Sequence, residues 1–380
     1  MGPRRTRSAA ALLAGVMLAG SLLAVVVSAA SAPASGGTVL VGGRVLVGGY
    51  GSNGIVRVTI PDAPNALVAD PAPQRTGTRI ATMSSPTFLL AHPSLAVVYA
   101  TSELSGGRRN LRALRPTGET VAAVWSGGAN PVRLAINVAG DRIAVANYDG
   151  SVALLALDAN AIPGPPLAVA RTSGTGLDPK RQTASHPHSV TFSPSGRSLY
   201  VADLGADSVL RFDLGPTRST LVAVQRLALP PGSGPRQMVV DGSQAYVANE
   251  LNGTITSLVL SSDGAMTVAA TTKLEDGANL GEVLLDPTGR WLVALVRGSG
   301  TCQVFDRATA GLRAVSSAPC GKAPRFAEFF PGGPDKERLV IASTGDDTVR
   351  VASFDPEEGV IGAAVVVSAI TKPAGIATTP

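Results

Sequence analysis

Aromatic side chains make up only 4% of this sequence, and its 380 residues include just three histidines and two cysteines. With so few rings, the core falls to Val, Ala and Leu, which pack well in extended strands. There is no G-x-S-x-G, no H-E-x-x-H, no EF-hand loop and no P-loop. These absences argue against a serine hydrolase triad or a zinc protease. No acid cluster has calcium-ligand spacing, so no metal is expected. A cofactor-dependent dehydrogenase lacks any handle for its cofactor, and none is expected.

A strongly basic chain is absent too, despite a formal charge of +5. Arg4, Arg5 and Arg7 lie in the first 32 residues, which hold no acid, so the remainder carries +2. With no basic block and no aromatic-interleaved patch, nucleic acid is not an expected partner. Residues 1–32 read as a signal peptide: a positive start, an apolar run from Ala9 to Val27, and the small-residue exit Val27-Ser28-Ala29. That run is long enough to span a bilayer, so membrane contact is expected only if it stays uncleaved. Residues 33–380 are expected to form one secreted or extracytoplasmic domain, working as a monomer. Cys302 and Cys320 fit export and flank a hairpin that turns near Ala308 to Gly311; a cross-strand disulfide and two buried thiols are both open readings.

What is present is a repeat. A small residue, usually proline, leads into apolar alternation at Pro86 (SPTFLL), Pro131 (NPVRLAI), Pro187 (HPHSVTF) and Pro235 (GPRQMVV). It returns at Asn279 (NLGEVLL), Pro324 (APRFAEFF) and Pro373 (KPAGIAT), with spacings of 45, 56, 48, 44, 45 and 49 residues. Each opening is followed by a turn, a second strand such as RSLYVAD, a third such as SVLRFDL and a less regular fourth. Seven copies at this period predict an all-β, seven-bladed β-propeller. Residues 44–60 supply second and third strands with no inner strand before them, and the opening at Pro373 supplies an inner strand with nothing after it. Together they predict one composite blade closing the ring, which removes exposed sheet edges. Residues 161–183, rich in Pro, Gly and Thr, read as a loop insertion.

In such a meander the start of each first strand shares a rim with the end of each second strand. His186, His188, Arg236 and Arg325 therefore share one mouth of the channel with Glu103, Asn147, Tyr148, Asp203, Glu250 and Arg297. Convergence of polar groups from several elements is typical of a ligand site. Each has a plainer reading: His186 and His188 satisfying turn backbone, Arg236 and Arg325 pairing with neighbouring blades, Glu250 capping a strand end. Asp203 reads mainly as turn chemistry and Tyr148-Asp149-Gly150 as a hairpin turn. His92, at the opposite rim, reads as surface, and Asn252-Gly253-Thr254 as a turn before a glycosylation sequon.

The segments NPVRLAINVAGDRIAVANYDGSV, HPHSVTFSPSGRSLYVADLGADSV and GPRQMVVDGSQAYVANEL resemble the seven-bladed propeller lactonase family of phosphogluconolactonase and carboxymuconate-lactonising enzymes. The resemblance covers nearly all of the chain after residue 32. It implies His188 (with His186), Arg236, Glu250 and Arg297 at the active site, the last three and His188 as catalytic residues; the shared rim adds Arg325, Asn147 and Glu103 to His186 as expected substrate-binding residues. The arginines would hold a substrate anion and polarise the lactone carbonyl, while Glu250 or His188, the latter titrating near neutral pH, would draw a proton from water. The sequence departs from the family at Gln237, Val296 and Ser343-Thr344. The expected function is a secreted hydrolase of a sugar lactone or related small acid lactone at the channel mouth. The second reading is a non-catalytic secreted propeller that binds a glycan, peptide or cell-envelope component.

Overall fold

The computed structural model describes residues 43–60, 77–308, 311–331 and 337–378; the expected signal peptide lies outside them. The chain folds as seven antiparallel sheets around a common axis. The inner strands are Pro86–Ala91, Pro131–Ile136, Pro187–Phe192, Pro235–Asp241, Leu280–Leu285, Pro324–Pro331 and Pro373–Thr378, heading blades 1 to 7 in that order. Blade 7 is composite: Pro373–Thr378 pairs with Arg44–Gly49, which pairs with Ile55–Thr59. All seven predicted openings start inner strands, and the two ends close the ring as the repeat required.

Burial explains the sequence pattern of each blade. Second strands are sandwiched between neighbouring blades on both faces, so Ser198–Asp203 and Trp291–Val296 are buried at every position. They read accordingly as continuous apolar runs, each fully buried Val or Leu contributing about 1.5–3 kcal/mol. Outer strands such as Leu221–Ala228 are exposed or half-buried throughout. Residues 161–183 are not simply an insertion. Pro163–Arg171 is the outer strand of blade 2, where Pro163, Pro165 and Pro166 are tolerated because an edge strand can lack some N–H donors. The true excursion is the stretch 172–186 that follows. His92 also differs from expectation: it is buried, its Nε2 donates to the Gly140 carbonyl at 3.1 Å, and its Nδ1 accepts from the amides of Ser94 and Leu95. It ties the turn of blade 1 to that of blade 2.

Cys302 and Cys320 form a disulfide with a Cα–Cα distance of 5.7 Å, linking the third strand of blade 5 to the end of its fourth. The turn at 309–310 lies outside the described residues. Across the axis, Arg133 of blade 2 donates to Glu282 of blade 5 at 2.6 Å, and its guanidinium lies over the rings of Phe88 and Phe326. Nearby, Glu328 of blade 6 accepts from the hydroxyl of Thr378 at 2.9 Å and from its amide at 3.3 Å. Burial pushes the Glu328 carboxyl up to about 7, against the pull of those hydrogen bonds and with added repulsion from Glu282.

Two outcomes follow for stability. Reducing the disulfide, or a Cys302→Ala/Cys320→Ala variant, is expected to cost about 2–4 kcal/mol in denaturant unfolding. Because Glu328 binds its proton more tightly folded than unfolded (~4.3 in the unfolded chain), stability is expected to fall as pH rises from about 4 to about 7. Glu328→Gln should flatten that slope in unfolding curves measured across the same window.

Candidate active site

Two features repeated in the blades aim side chains at one mouth. The first is a bulge at the inner-strand opening. The ladder runs Pro187↔Asp203 then Ser189↔Ala202, leaving out His188. It leaves out Arg236 between Pro235 and Gln237, and Arg325 between Pro324 and Phe326. A bulged residue has no cross-strand partner and turns its side chain out of the pleat. The second is a backbone hydrogen bond from the residue just after each second strand to the carbonyl just before the inner strand. It is made by Tyr50 to Lys372, Glu103 to Ser85, Tyr148 to Asn130, Leu204 to His186, Glu250 to Gly234, Arg297 to Asn279 and Thr344 to Ala323, at 2.8–3.2 Å. Several residues whose carbonyls accept in this motif sit at positive φ, among them Ser85 (46°), Asn130 (51°) and Ala323 (50°). Such conformations are costly for non-glycine residues and collect at functional rims.

The result is a cavity of about 220 Å³ lined by Tyr50, Glu103, Tyr148, Arg181, His188, Arg236, Glu250, Arg297 and Arg325. Every blade contributes. Glu250 lines the cavity and is 2% exposed. Its Oε1 accepts from Arg181 at 2.5 Å and faces Arg297 Nη1 at 3.4 Å, while Oε2 accepts from Arg236 Nη1 at 2.7 Å. Burial alone would favour a protonated Glu250, but Arg236, Arg181 and Arg297 outweigh it and hold the carboxyl well below the usual range. Arg236 also donates Nε to the Gly281 carbonyl and Nη1 to His188 Nε2, both at 2.6 Å. Burial, then the neighbouring Arg325, lower its pKa to about 10. An arginine can only donate, so His188 Nε2 is the acceptor and the imidazole is neutral. Burial and Arg236 push His188 well below its ordinary pKa. The expectation that it titrates near neutrality is therefore corrected, because a guanidinium occupies its lone pair.

A second arm faces the first. Arg325 lies over the Tyr50 ring, 4.7 Å from its centroid, and donates to the Tyr50 hydroxyl. Burial raises the Tyr50 pKa to about 12, and its hydroxyl is also hydrogen-bonded to Glu103. Arg181 comes from the excursion between blades 2 and 3, where the Asp178 carboxylate caps the amides of Lys180 and Arg181. Burial works against the charge on Arg181, but the Glu250 carboxylate more than offsets it and raises its pKa.

Of the eight residues expected at the site, six line the cavity: Glu103, His188, Arg236, Glu250, Arg297 and Arg325. His186 and Asn147 do not. His186 stacks on Tyr148 at 4.1 Å and donates Nδ1 to the Tyr148 carbonyl, because the bulged position is the one after Pro187, not before it. Asn147 is the last strand residue and points into the blade, exchanging hydrogen bonds with Ser126. Asp203 accepts from Ser185 and from the His186 amide, fixing the His-Pro-His segment. Tyr50 and Arg181 escaped the sequence reading. Tyr50 occupies the same blade position as Glu103 and Glu250, so superposing the repeats locates it. Arg181 lies outside the repeat and leaves no such signal. The departures at Gln237, Val296 and Ser343-Thr344 fall outside the cavity lining. Gln237 bridges to the Val283 amide, Val296 is in the core, and Ser343 and Thr344 bond the carbonyls of Cys320 and Pro373. Among the described residues, no group of His, Cys, Asp and Glu could hold a metal ion.

A seven-bladed propeller with an arginine-rich cavity at one mouth defines the class. The profile described as lactonase, 7-bladed beta-propeller, matches residues 44–376, and the chain belongs to that family. It is 26% identical over 247 residues to the 6-phosphogluconolactonase of Formosa agariphila, covering 61% of this chain and 69% of that protein. It is 25% identical to the 6-phosphogluconolactonase of Sodalis glossinidius over 61% of this chain and 70% of that protein. The periplasmic gluconolactonase of Pseudomonas aeruginosa superposes with a TM-score of 0.75 at 26% identity, covering 89% of this chain and 99% of that one.

Removing Glu250 leaves buried guanidiniums without their shared counter-ion. Glu250→Gln is expected to cost about 3 kcal/mol at pH 7, the low end for a broken buried pair because Arg181 and Arg297 are partly open to solvent. Its depressed folded pKa makes this stabilisation full above the unfolded value of ~4.3 and lost as pH falls through the folded one. The difference between variant and wild type should therefore shrink steadily below about pH 4 in denaturant unfolding.

Proposed function

We propose that this protein hydrolyses a small anionic lactone, a sugar lactone or related acid lactone, in the cavity at the channel mouth and outside the cytoplasm. The observation that carries this reading is a charge imbalance. Four guanidiniums face the cavity against two carboxylates, an excess of two positive charges in a space sized for a small polar molecule. One unit of that excess suits a carboxylate or phosphate on the substrate. The other suits the oxyanion that develops when water adds to the lactone carbonyl. Lactone hydrolysis is supported by the family and by its 6-phosphogluconolactonase relatives. Export is supported by the positive and apolar first 32 residues, the disulfide, and likeness to a periplasmic gluconolactonase.

In this reading Arg236 and Arg297 are the polarising groups. Glu250 holds Arg181, Arg236 and Arg297 within 3.4 Å of its own carboxylate oxygens, a convergence that like charges would not adopt alone. His188 takes an Arg236 N–H and fixes the plane of that guanidinium. The donors are in place before substrate arrives, so little reorganisation is needed as charge develops.

The test is acid release from a panel of γ- and δ-lactones, neutral and anionic. Wild type is expected to open at least one and to prefer anionic forms. Arg236→Ala and Arg297→Ala should each lower kcat/KM by about 10²–10³. Equal rates for wild type, Arg236→Ala and Glu250→Ala on every lactone would sink the reading. Saturable binding of a glycan or peptide without turnover would favour the non-catalytic alternative.

A further inference from the structure

Hydrolysis of a lactone needs a group that accepts a proton from water as the water attacks. Two of the cavity's proton acceptors are already committed. Glu250 has both carboxylate oxygens engaged by guanidiniums, one by Arg181 and Arg297 and the other by Arg236. A carboxylate neutralised in this way is a feeble base. His188 offers its Nε2 lone pair to Arg236 at 2.6 Å and has none left there for water. Both tyrosines are phenols, and Tyr50 is held protonated by burial.

The remaining acid is different. Glu103 follows the second strand of blade 1, the position held by Glu250 in blade 4, and lines the same cavity. Among the described residues no arginine bridges to it. The Tyr50 hydroxyl, itself fixed by Arg325, bonds its carboxylate. Its Oε2 is buried and has no protein hydrogen-bond partner. A buried carboxylate oxygen without a donor is costly, and such an oxygen in a native site calls for a role. It is oriented by one neutral hydrogen bond, withdrawn from bulk water and not neutralised by a direct cation, which is the condition for accepting a proton.

We propose that Glu103 is the general base of the hydrolysis, with Tyr50 and Arg325 as its positioning residues; this rests on the lactonase reading above. The Glu103 carboxylate, which lines the cavity, takes one proton from water as the water oxygen bonds to the lactone carbonyl carbon. The carbonyl electron pair moves onto oxygen, where the Arg236 and Arg297 guanidiniums stabilise it. On collapse the C=O bond re-forms, the bond from the acyl carbon to the ring oxygen breaks, and the departing oxygen takes the proton back from Glu103. The product is the open hydroxy acid, whose carboxyl proton goes to solvent. The two glutamates then divide the work: Glu250 organises cations and Glu103 moves the proton.

The experiment compares steady-state kinetics of wild type, Glu103→Gln, Glu103→Asp, Glu103→Ala and Glu250→Ala on the best lactone of the panel, with thermal melts alongside. Glu103→Gln is expected to lower kcat by about 10²-fold or more with KM changed less than about threefold. Formate added to Glu103→Ala should restore part of the rate in proportion to its concentration, and should leave Glu250→Ala unrescued. Tyr50→Phe, which keeps the ring but frees the carboxylate, should lower kcat by about tenfold. Glu103→Asp keeps the carboxylate, retracts it by one methylene and serves where the amide variant does not fold; at least a tenfold fall in kcat is expected. Wild-type kcat in Glu103→Gln or Glu103→Asp, on an enzyme that does open lactones, overturns the assignment and leaves the lactonase reading standing. A folded wild type that opens no lactone overturns both.

Discussion

One backbone hydrogen bond, made once in each blade, holds the functional end of this molecule together. The amide just past each second strand binds the carbonyl just before that blade's inner strand, so the two chain segments at the mouth cannot part without breaking it. In six blades the two partners lie 16 to 21 residues apart along one continuous stretch of chain. In the seventh they are Tyr50 and Lys372, from opposite ends of the described chain, and the same bond completes the ring. Closure and site are therefore one constraint. Arg325 of blade 6 meets its aromatic partner only because the composite blade has formed and set Tyr50 beside it.

Repetition of the backbone and divergence of the side chains explain how such a site arises. The position after the second strand carries Tyr50, Glu103, Tyr148, Leu204, Glu250, Arg297 and Thr344. The bulged position of the inner strand carries Thr87, Val132, His188, Arg236 and Arg325 among others. Substitution at these positions changes the chemistry of the mouth while the strands beside them, buried on both faces, go on fixing the geometry. Fold and function thus occupy adjacent residues without competing. Val296 is core and Arg297 is site. Asn249 is fully buried, and Glu250 next to it faces three arginines.

That adjacency also sets what could be read from the sequence. The blade count, the openings and the composite blade were legible because each rests on a period of apolar residues many positions long. The rim on which the polar residues gather followed from meander topology. Which of two neighbouring polar residues faces the cavity did not follow, because a bulge shifts the alternation by one. His186 and His188 were equally plausible from the repeat, and only the skipped register at His188 separates them. Asn147 failed for the related reason that the last ladder residue points into the blade while the next, Tyr148, points out. Arg181 was beyond reach, since an inter-blade excursion carries no periodic constraint.

The electrostatics of the cavity follow from packing more charge into one wall than it can neutralise. Arg181, Arg236 and Arg297 converge because Glu250 sits between them, yet one carboxylate balances only one of the three. The surplus is tolerated because Arg181 and Arg297 are partly open to solvent, where water screens their repulsion. An incoming anion removes a repulsion that the fold has already fixed in place, so the attraction is available at binding without rearrangement. The same surplus makes Glu250 and His188 poor proton acceptors, since each is tied to the cations it organises. Binding strength and basicity are opposed in this wall of the cavity, and a site that needs both must place them on different blades. Glu103, bonded to a phenol and not to a guanidinium, stands on the blade where that separation can be made.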